Sequence, residues 1–187
     1  MAIEHASIAD GDRHEPKGIS TAVSGTVYVA NGSATGTWMP ADSHIAAYVE
    51  FDSTTPAYSH STTTSDTPIN PVFSVASSKN FSGATSPNAR LVYTGTNVVY
   101  GLVTFFASMQ NADSQTREVE LALYKNGTEL GGTRVIRTIS PSTWGVVAFT
   151  TIVQLSTDDY LEIYIKGDLA HTTNFAGAQM AVTCFPG

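Results

Sequence analysis

In the second half of this chain, apolar residues recur at every other position in runs of strand length, not at the three- and four-residue spacing of a helix face. In Glu118-Val119-Glu120-Leu121-Ala122-Leu123-Tyr124, Val119, Leu121 and Leu123 point one way and both glutamates the other. That period of two predicts a strand with one wet face. The run leads into Lys125-Asn126-Gly127-Thr128, where Asn-Gly supplies the positive φ values of a tight hairpin. Asp159 to Lys166 alternates in the same way, with Leu161, Ile163 and Ile165 expected inward and Tyr160, Glu162, Tyr164 and Lys166 outward. No internal repeat and no long 3.6-period stripe interrupts this texture, so the pattern predicts an all-β protein.

One run departs from the rule. From Asn97 to Met109, Val99, Val103, Phe105 and Met109 line one alternating face, while Val98, Tyr100, Leu102 and Phe106 line the other. A strand apolar on both faces is buried on both faces. In a domain of two antiparallel sheets, the second face must then lie under another layer or another subunit. Tyr160 and Tyr164 are aromatic and outward on their own strand, and aromatics are enriched at interfaces. We therefore take Val98, Tyr100, Leu102, Phe106, Tyr160 and Tyr164 as candidates for a subunit contact. The alternative cover is a loop or the N-terminal arm of the same chain.

The first part of the chain differs. Residues 1–43 are polar and Gly-rich, with turn signals at Asp10-Gly11, Asn31-Gly32 and Thr35-Gly36. Their one apolar run, Gly25-Thr26-Val27-Tyr28-Val29-Ala30, reads as a short strand before a turn. We expect an extended N-terminal arm over 1–43 carrying a short β-hairpin, and a sandwich domain over 44–187. Residues 52–70, rich in Ser and Thr and carrying Pro56 and Pro68, are expected to form a long surface loop.

Composition narrows the classes of function. Of 187 residues, 42% are hydrophobic and 13% charged, with 19 Ser and 25 Thr against 4 Lys. So little charge excludes a long exposed helix or coiled coil. A net charge of −7 and a pI near 5.0 argue against nucleic acid as a partner, which requires a basic face. No stretch approaches the roughly 18 apolar residues of a membrane span. Met1 to Ser7 has neither a basic nor an apolar leader segment, and Cys184, the single cysteine, has no internal partner. We expect synthesis in a reducing cytoplasm, with Cys184 as a small buried hydrophobe.

Candidate chemistry is sparse. His5, His14, His44, His60 and His171 never fall at a metal-ligand spacing, although one histidine repeated around a threefold axis, His5 or His14, could gather a metal. Asp10-Gly-Asp12-Arg-His-Glu15 resembles a loose Ca²⁺ loop but lacks the full ligand order, and a hydrated turn is expected there. There is no Gly-x-Ser-x-Gly elbow, phosphate-binding loop or dinucleotide fingerprint. The sequence points away from an enzyme, with no cofactor and no metal.

Two sets of residues resemble a known family. Asn88-Ala-Arg-Leu-Val-Tyr-Thr-Gly95, Val98 to Met109, Leu121-Ala-Leu-Tyr-Lys-Asn-Gly127, Val146 to Leu155, Asp158-Asp-Tyr-Leu-Glu-Ile-Tyr-Ile165 and Ala178 to Phe185 follow one another as the strands of a C1q/tumour-necrosis-factor-like jelly roll do. In the arm, His14-Glu15-Pro16-Lys17-Gly18-Ile19, then Gly25 to Gly32 with Tyr28, then Gly36-Thr-Trp38, resembles the start of small bacteriophage virion proteins.

The resemblance implies a homotrimeric, non-enzymatic structural protein of the virion, a capsid decoration or head-fibre protein assembled in the bacterial cytoplasm. Its jelly roll would trimerise. Its arm would grip the major capsid protein or another virion protein through His14, Glu15, Pro16, Lys17, Gly18, Ile19, Tyr28 and Trp38. Trp38 packing on its own jelly roll remains an equal alternative. The rival reading is a tail-associated receptor-binding protein for a host-surface glycan or protein, with Tyr58 and Tyr93 as exposed stacking platforms.

Overall fold

The computed structural model describes residues 26–30, 36–40, 45–52, 58–70, 74–77, 80–84 and 88–186, with side chains described over 58–70, 80–83 and 88–184. The chain divides into two compact units, Met1–His44 and Ile45–Gly187. In the first, β1 (Thr26–Ala30) pairs antiparallel with β2 (Gly36–Pro40), and Tyr28 stands opposite Trp38 in the register.

The second unit is an antiparallel jelly-roll sandwich. Its strands are β3 (Ile45–Asp52), β4 (Tyr58–Thr62), β5 (Thr67–Pro68), β6 (Ser74–Ser77), β7 (Phe81–Ala84) and β8 (Arg90–Tyr93). They continue with β9 (Val99–Asn111), β10 (Arg117–Lys125), β11 (Thr128–Glu129), β12 (Val135–Ile139), β13 (Trp144–Leu155), β14 (Tyr160–Gly167) and β15 (His171–Pro186). One sheet runs β11-β10-β14-β8-β7, with β12 beside β10 and β5 beside β14. The other runs β13-β9-β15-β3-β6, with β4 beside β15, so among the described residues β13 forms one edge of that sheet. Among the described residues no helix is long and apolar enough to cross a membrane.

Alternation builds the core. Val99, Val103, Phe105 and Met109 of β9 are buried, as are Val119, Leu121 and Leu123 of β10 and Leu161, Ile163 and Ile165 of β14. Burying each such side chain contributes roughly 1.5–3 kcal/mol. The longest strand, β15, stays in step by breaking its own parity. Thr173 and Phe175 face inward, the register against β9 shifts between Phe175 and Gly177, and Ala178, Met180, Val182 and Cys184 then face inward instead. A one-residue bulge is what moves the inward set from odd to even positions.

The hairpin after β10 forms as its sequence requires. Asn126 and Gly127 have φ of 52° and 74°, and Lys125 pairs with Thr128. Asn126 is also pinned to β14, donating from Nδ2 to Asp159 Oδ1 at 2.6 Å and accepting the Tyr160 amide at 2.9 Å.

Two expectations are corrected. Residues 52–70 are not simply a loop, because β4 pairs with β15 from Tyr58↔Phe175 to Thr62↔His171 and β5 pairs with β14. Threonine suits a pleated, half-buried surface, and Thr62 is buried in a hydroxyl pair with Thr173 at 2.8 Å. Nor is Glu162 wet. It is 2% exposed, accepting from Asn88 Nδ2 at 3.2 Å with Arg90 at 3.4 Å. A buried carboxylate persists where a cation and a donor replace its water.

Candidate functional site

The outward face of the β13-β9-β15 sheet is the feature that calls for a function. Along β9 the exposed positions are Tyr100, Leu102, Thr104 and Phe106, giving way to half-buried Ser108 and Gln110. Antiparallel pairing sets Gln154, Ile152, Thr150, Ala148 and Val146 of β13 beside them, opposite Tyr100, Leu102, Thr104, Phe106 and Ser108. Tyr100 is 46% exposed, Phe106 44%, Val146 61% and Ile152 69%. These apolar side chains flank the exposed Thr104–Thr150 pair on one sheet face, and such an exposed apolar face is a candidate interaction surface. Gln154 Nε2 donates to the Tyr100 hydroxyl at 3.3 Å, the polar margin of the patch at that end.

Four of the six contact candidates, Val98, Tyr100, Leu102 and Phe106, therefore come together, Val98 immediately before β9 at 48% exposure. Tyr160 and Tyr164 do not join them. They lie on β14, in the other sheet, and their rings are already occupied. Tyr164 stacks on Tyr124 with ring centroids 3.8 Å apart, and the Arg90 guanidinium lies 4.3 Å from the Tyr160 centroid. The six candidates thus do not form one surface, because cross-strand stacking consumes the aromatic faces that alternation alone leaves outward. Sequence reading also passed over the β13 contribution, Val146 and Ile152. The signal was there: Trp144, Val146, Ala148, Thr150 and Ile152 alternate with Val147, Phe149, Val153 and Leu155, as in β9.

On the opposite sheet, Arg134 gathers three carboxylates. It pairs with Asp66 and Glu120 at 3.1 Å and with Glu129 at 2.6 Å, and Lys166 reaches Glu120 at 3.2 Å. The hydrogen bond to Glu129 holds the Arg134 guanidinium firmly protonated, and the same bond draws the Glu129 carboxyl below its usual range. The cluster ties β5 to β10, β11 and β14, which is structural work.

The titratable groups of the interior are likewise engaged. His60 lies between the Tyr58 hydroxyl, 2.8 Å from Nδ1, and Thr67 Oγ1, 2.9 Å from Nε2, and burial lowers its pKa. His171 bonds the Leu169 carbonyl at 2.8 Å and Thr173 Oγ1 at 3.1 Å. Cys184 is fully buried, which pushes its thiol up to about 11. Among the described residues, no three His, Cys, Asp or Glu side chains are grouped to hold a metal ion.

The Tyr58 and Tyr93 platforms are also corrected. Tyr93 is 1% exposed, packed on Phe81 at 5.2 Å with its hydroxyl on the Asn97 carbonyl at 2.8 Å. Tyr58 is half-buried, 5.7 Å from Phe175 between ring centroids, and its hydroxyl accepts the Asn70 amide at 2.9 Å. Of the arm candidates, Tyr28 and Trp38 lie on β1 and β2. His14, Glu15, Pro16, Lys17, Gly18 and Ile19 fall outside the described residues, as do Asp10–Glu15, His5 and His44.

No protein-family model matches this chain. No curated protein matches it either. Solved structures do. Eiger TNF from S. frugiperda is 11% identical with a TM-score of 0.53, over 77% of this chain and 94% of that one. The globular domain of zebrafish complement 1qA protein is 14% identical with a TM-score of 0.45, over 74% and 96%. The vertex protein P5 of PRD1 is 8% identical with a TM-score of 0.44, over 76% and 97%. The Eiger likeness shows the fold: the second unit is an all-β jelly roll of the tumour-necrosis-factor type.

Proposed function

We propose that this protein is a homotrimeric structural component of a bacteriophage virion, a capsid decoration or head-fibre protein held to the particle by its N-terminal arm, and not an enzyme. One observation carries the assembly half of this reading. Tyr100, Leu102, Phe106, Val146 and Ile152 form an apolar sheet face that a lone protomer leaves in water. Covering it with a second copy removes that cost, at roughly 25 cal/mol for each Å² of apolar surface. The virion half rests on the arm's resemblance to phage virion proteins, with the major capsid protein or another virion protein as its partner. With Tyr58 and Tyr93 engaged inside the fold, the tail-associated reading loses the aromatic platforms it used.

Light scattering on the full chain is expected to give a trimer mass, and Leu102→Glu or Phe106→Glu a monomer that keeps its β-sheet circular dichroism. A monomer mass for the unmodified chain would remove the assembly. Deleting residues 1–38 should leave the trimer intact and abolish particle binding. Gold-tagged antibody should decorate the heads of purified particles, whereas label on tails alone would favour the receptor-binding role.

A further inference from the structure

The outward face of the β13-β9-β15 sheet changes character along its length. Toward Tyr100 it is apolar, and toward Gln110 it is a row of amides and hydroxyls crossing four strands. Ser59 Oγ of β4 donates to Asn174 Oδ1 of β15 at 2.7 Å. Asn174 Nδ2 in turn donates to Gln110 Oε1 of β9 at 3.5 Å, and Gln110 Nε2 donates to the Ser142 carbonyl at 3.0 Å. Trp144 closes the row, directly opposite Gln110 in the register and 42% exposed on the edge strand. Ser142 is held at φ 55°, a conformation that non-glycine residues adopt sparingly.

We infer that this row, Trp144 with Gln110, Asn174 and Ser59, is a binding site for a neutral saccharide. The bonds along the row fix the side chains but do not exhaust them. Each amide nitrogen carries two hydrogens and spends one, and each side-chain oxygen has lone-pair capacity to spare. An apolar partner laid over the row would strand those groups at roughly 1–3 kcal/mol each. None of Ser59, Gln110, Ser142, Thr143, Trp144 and Asn174 carries a formal charge, and the nearby guanidinium, Arg137, lies against Gly145, an inward position of β13, so the row itself offers an anion no counter-charge. Nucleic acid is disfavoured further by the chain's net charge of −7. What remains is a ligand with a flat C–H face for the indole and hydroxyls for the amides, which is the surface of a sugar ring. The site goes beyond the structural role proposed above and needs no particular oligomeric state.

The test uses the full-length chain carrying Trp38→Phe, so that Trp144 is the one remaining indole of the two. Maltohexaose, cellohexaose and chitohexaose are titrated separately while Trp144 emission is followed, with light scattering on the same samples. At least one sugar is expected to give a saturable shift near about 1 mM, weakened about tenfold or more by Gln110→Ala or Asn174→Ala and unchanged by Leu102→Ser. Saturation transfer to that sugar should vanish in Trp144→Ala, with the melting curve retained. No saturable response to any of the three up to about 10 mM overturns the site. So does an affinity indifferent to Gln110 and Asn174, or a Trp144→Ala chain that loses mass and so assigns the row to a copy–copy contact. A trimer without a sugar response leaves the assembly standing and removes the site; a monomer that binds sugar does the reverse.

Discussion

Single residues here are constrained by what touches them, and the constraint is not always visible in their type. Gly95 lies under the Tyr93 side chain, so a Cβ there would run into the phenol. That phenol cannot swing away, because its hydroxyl is held by Asn97 and its ring by Phe81. Gly95→Ala is therefore expected to destabilise by about 1–3 kcal/mol in urea unfolding, and pairing it with Tyr93→Phe should cost less than the sum of the two. Cys184 behaves as its apolar neighbours Val182 and Phe185 suggest. With its thiol pushed up to about 11 and no exposed surface, it should resist a disulfide reagent at neutral pH until the chain unfolds. Cys184 was legible because it sits in a locally apolar run, even though the groups around its thiol, Gly101 among them, come from other strands. The Arg90–Glu162–Asn88 cluster was not, since its members meet across β8 and β14 and alternation places Glu162 in water.

At the scale of elements, strands with strict alternation and a specific turn were legible, and those made by pairing alone were not. β9, β10 and β14 follow from period two, and the Asn126-Gly127 hairpin from turn chemistry. β4 and β5 carry no apolar alternation. They are strands because β15 and β14 offer them open edges and because Thr62, Thr67 and His60 find partners there. Asn126 joins two elements, so its loss should exceed the cost of one turn residue. Asn126→Ala abandons two hydrogen bonds and a favourable positive φ, and is expected to lose about 2–3 kcal/mol. Asn126→Gly keeps the turn and should lose less. Arg134→Leu leaves Asp66 and Glu129 without their cation and Glu120 with Lys166 alone, and hydrogen exchange at Thr67 and Pro68's neighbours should rise while the β9 core stays protected.

For the molecule as a whole, acid is the expected stress. Burial lowers the pKa of His60 below the ordinary imidazole value of 6.5, so the unfolded chain takes up that proton first. Stability is then fully present above about pH 6.5 and declines as pH falls through the folded value. Glu129, through its bond to Arg134, sits below 4.5. Burial raises Asp159, but bonds from Lys125, Ser156 and Asn126 outweigh it and leave it below 3.8. Their contribution is present above the ordinary carboxylate range and lost as pH falls beneath it. Urea midpoints should accordingly fall gently below about pH 6.5 and steeply below about pH 4.5, with His60→Gln flattening the first decline. Assembly through the β9 face should respond differently. Tyr100, Leu102, Phe106, Val146 and Ile152 carry no charge, so the trimer mass is expected to hold between about 0.05 M and about 1 M salt. The sandwich as a whole, and the unusual second face of β9, could be read from the sequence. The division of that face into an apolar stretch and an amide row could not, because Ser59, Gln110, Trp144 and Asn174 are scattered across four strands.

The edge strand β13 has a consequence for how the protein must be made. Its twelve residues, Trp144 to Leu155, contain no charge and no proline, two of the devices by which sheet edges repel one another, although Lys125 reaches across from β10 to the Gln154 carbonyl. A newly folded protomer thus offers a long, sticky template to any other it meets, in register or out of it. Productive closure and runaway fibrous stacking draw on the same strand, and which one wins depends on concentration and time. Slow, cool expression should give soluble particles where fast expression gives inclusion bodies. A single lysine at Thr150, beside Thr104 on the exposed face, should block both routes and leave dispersed monomers.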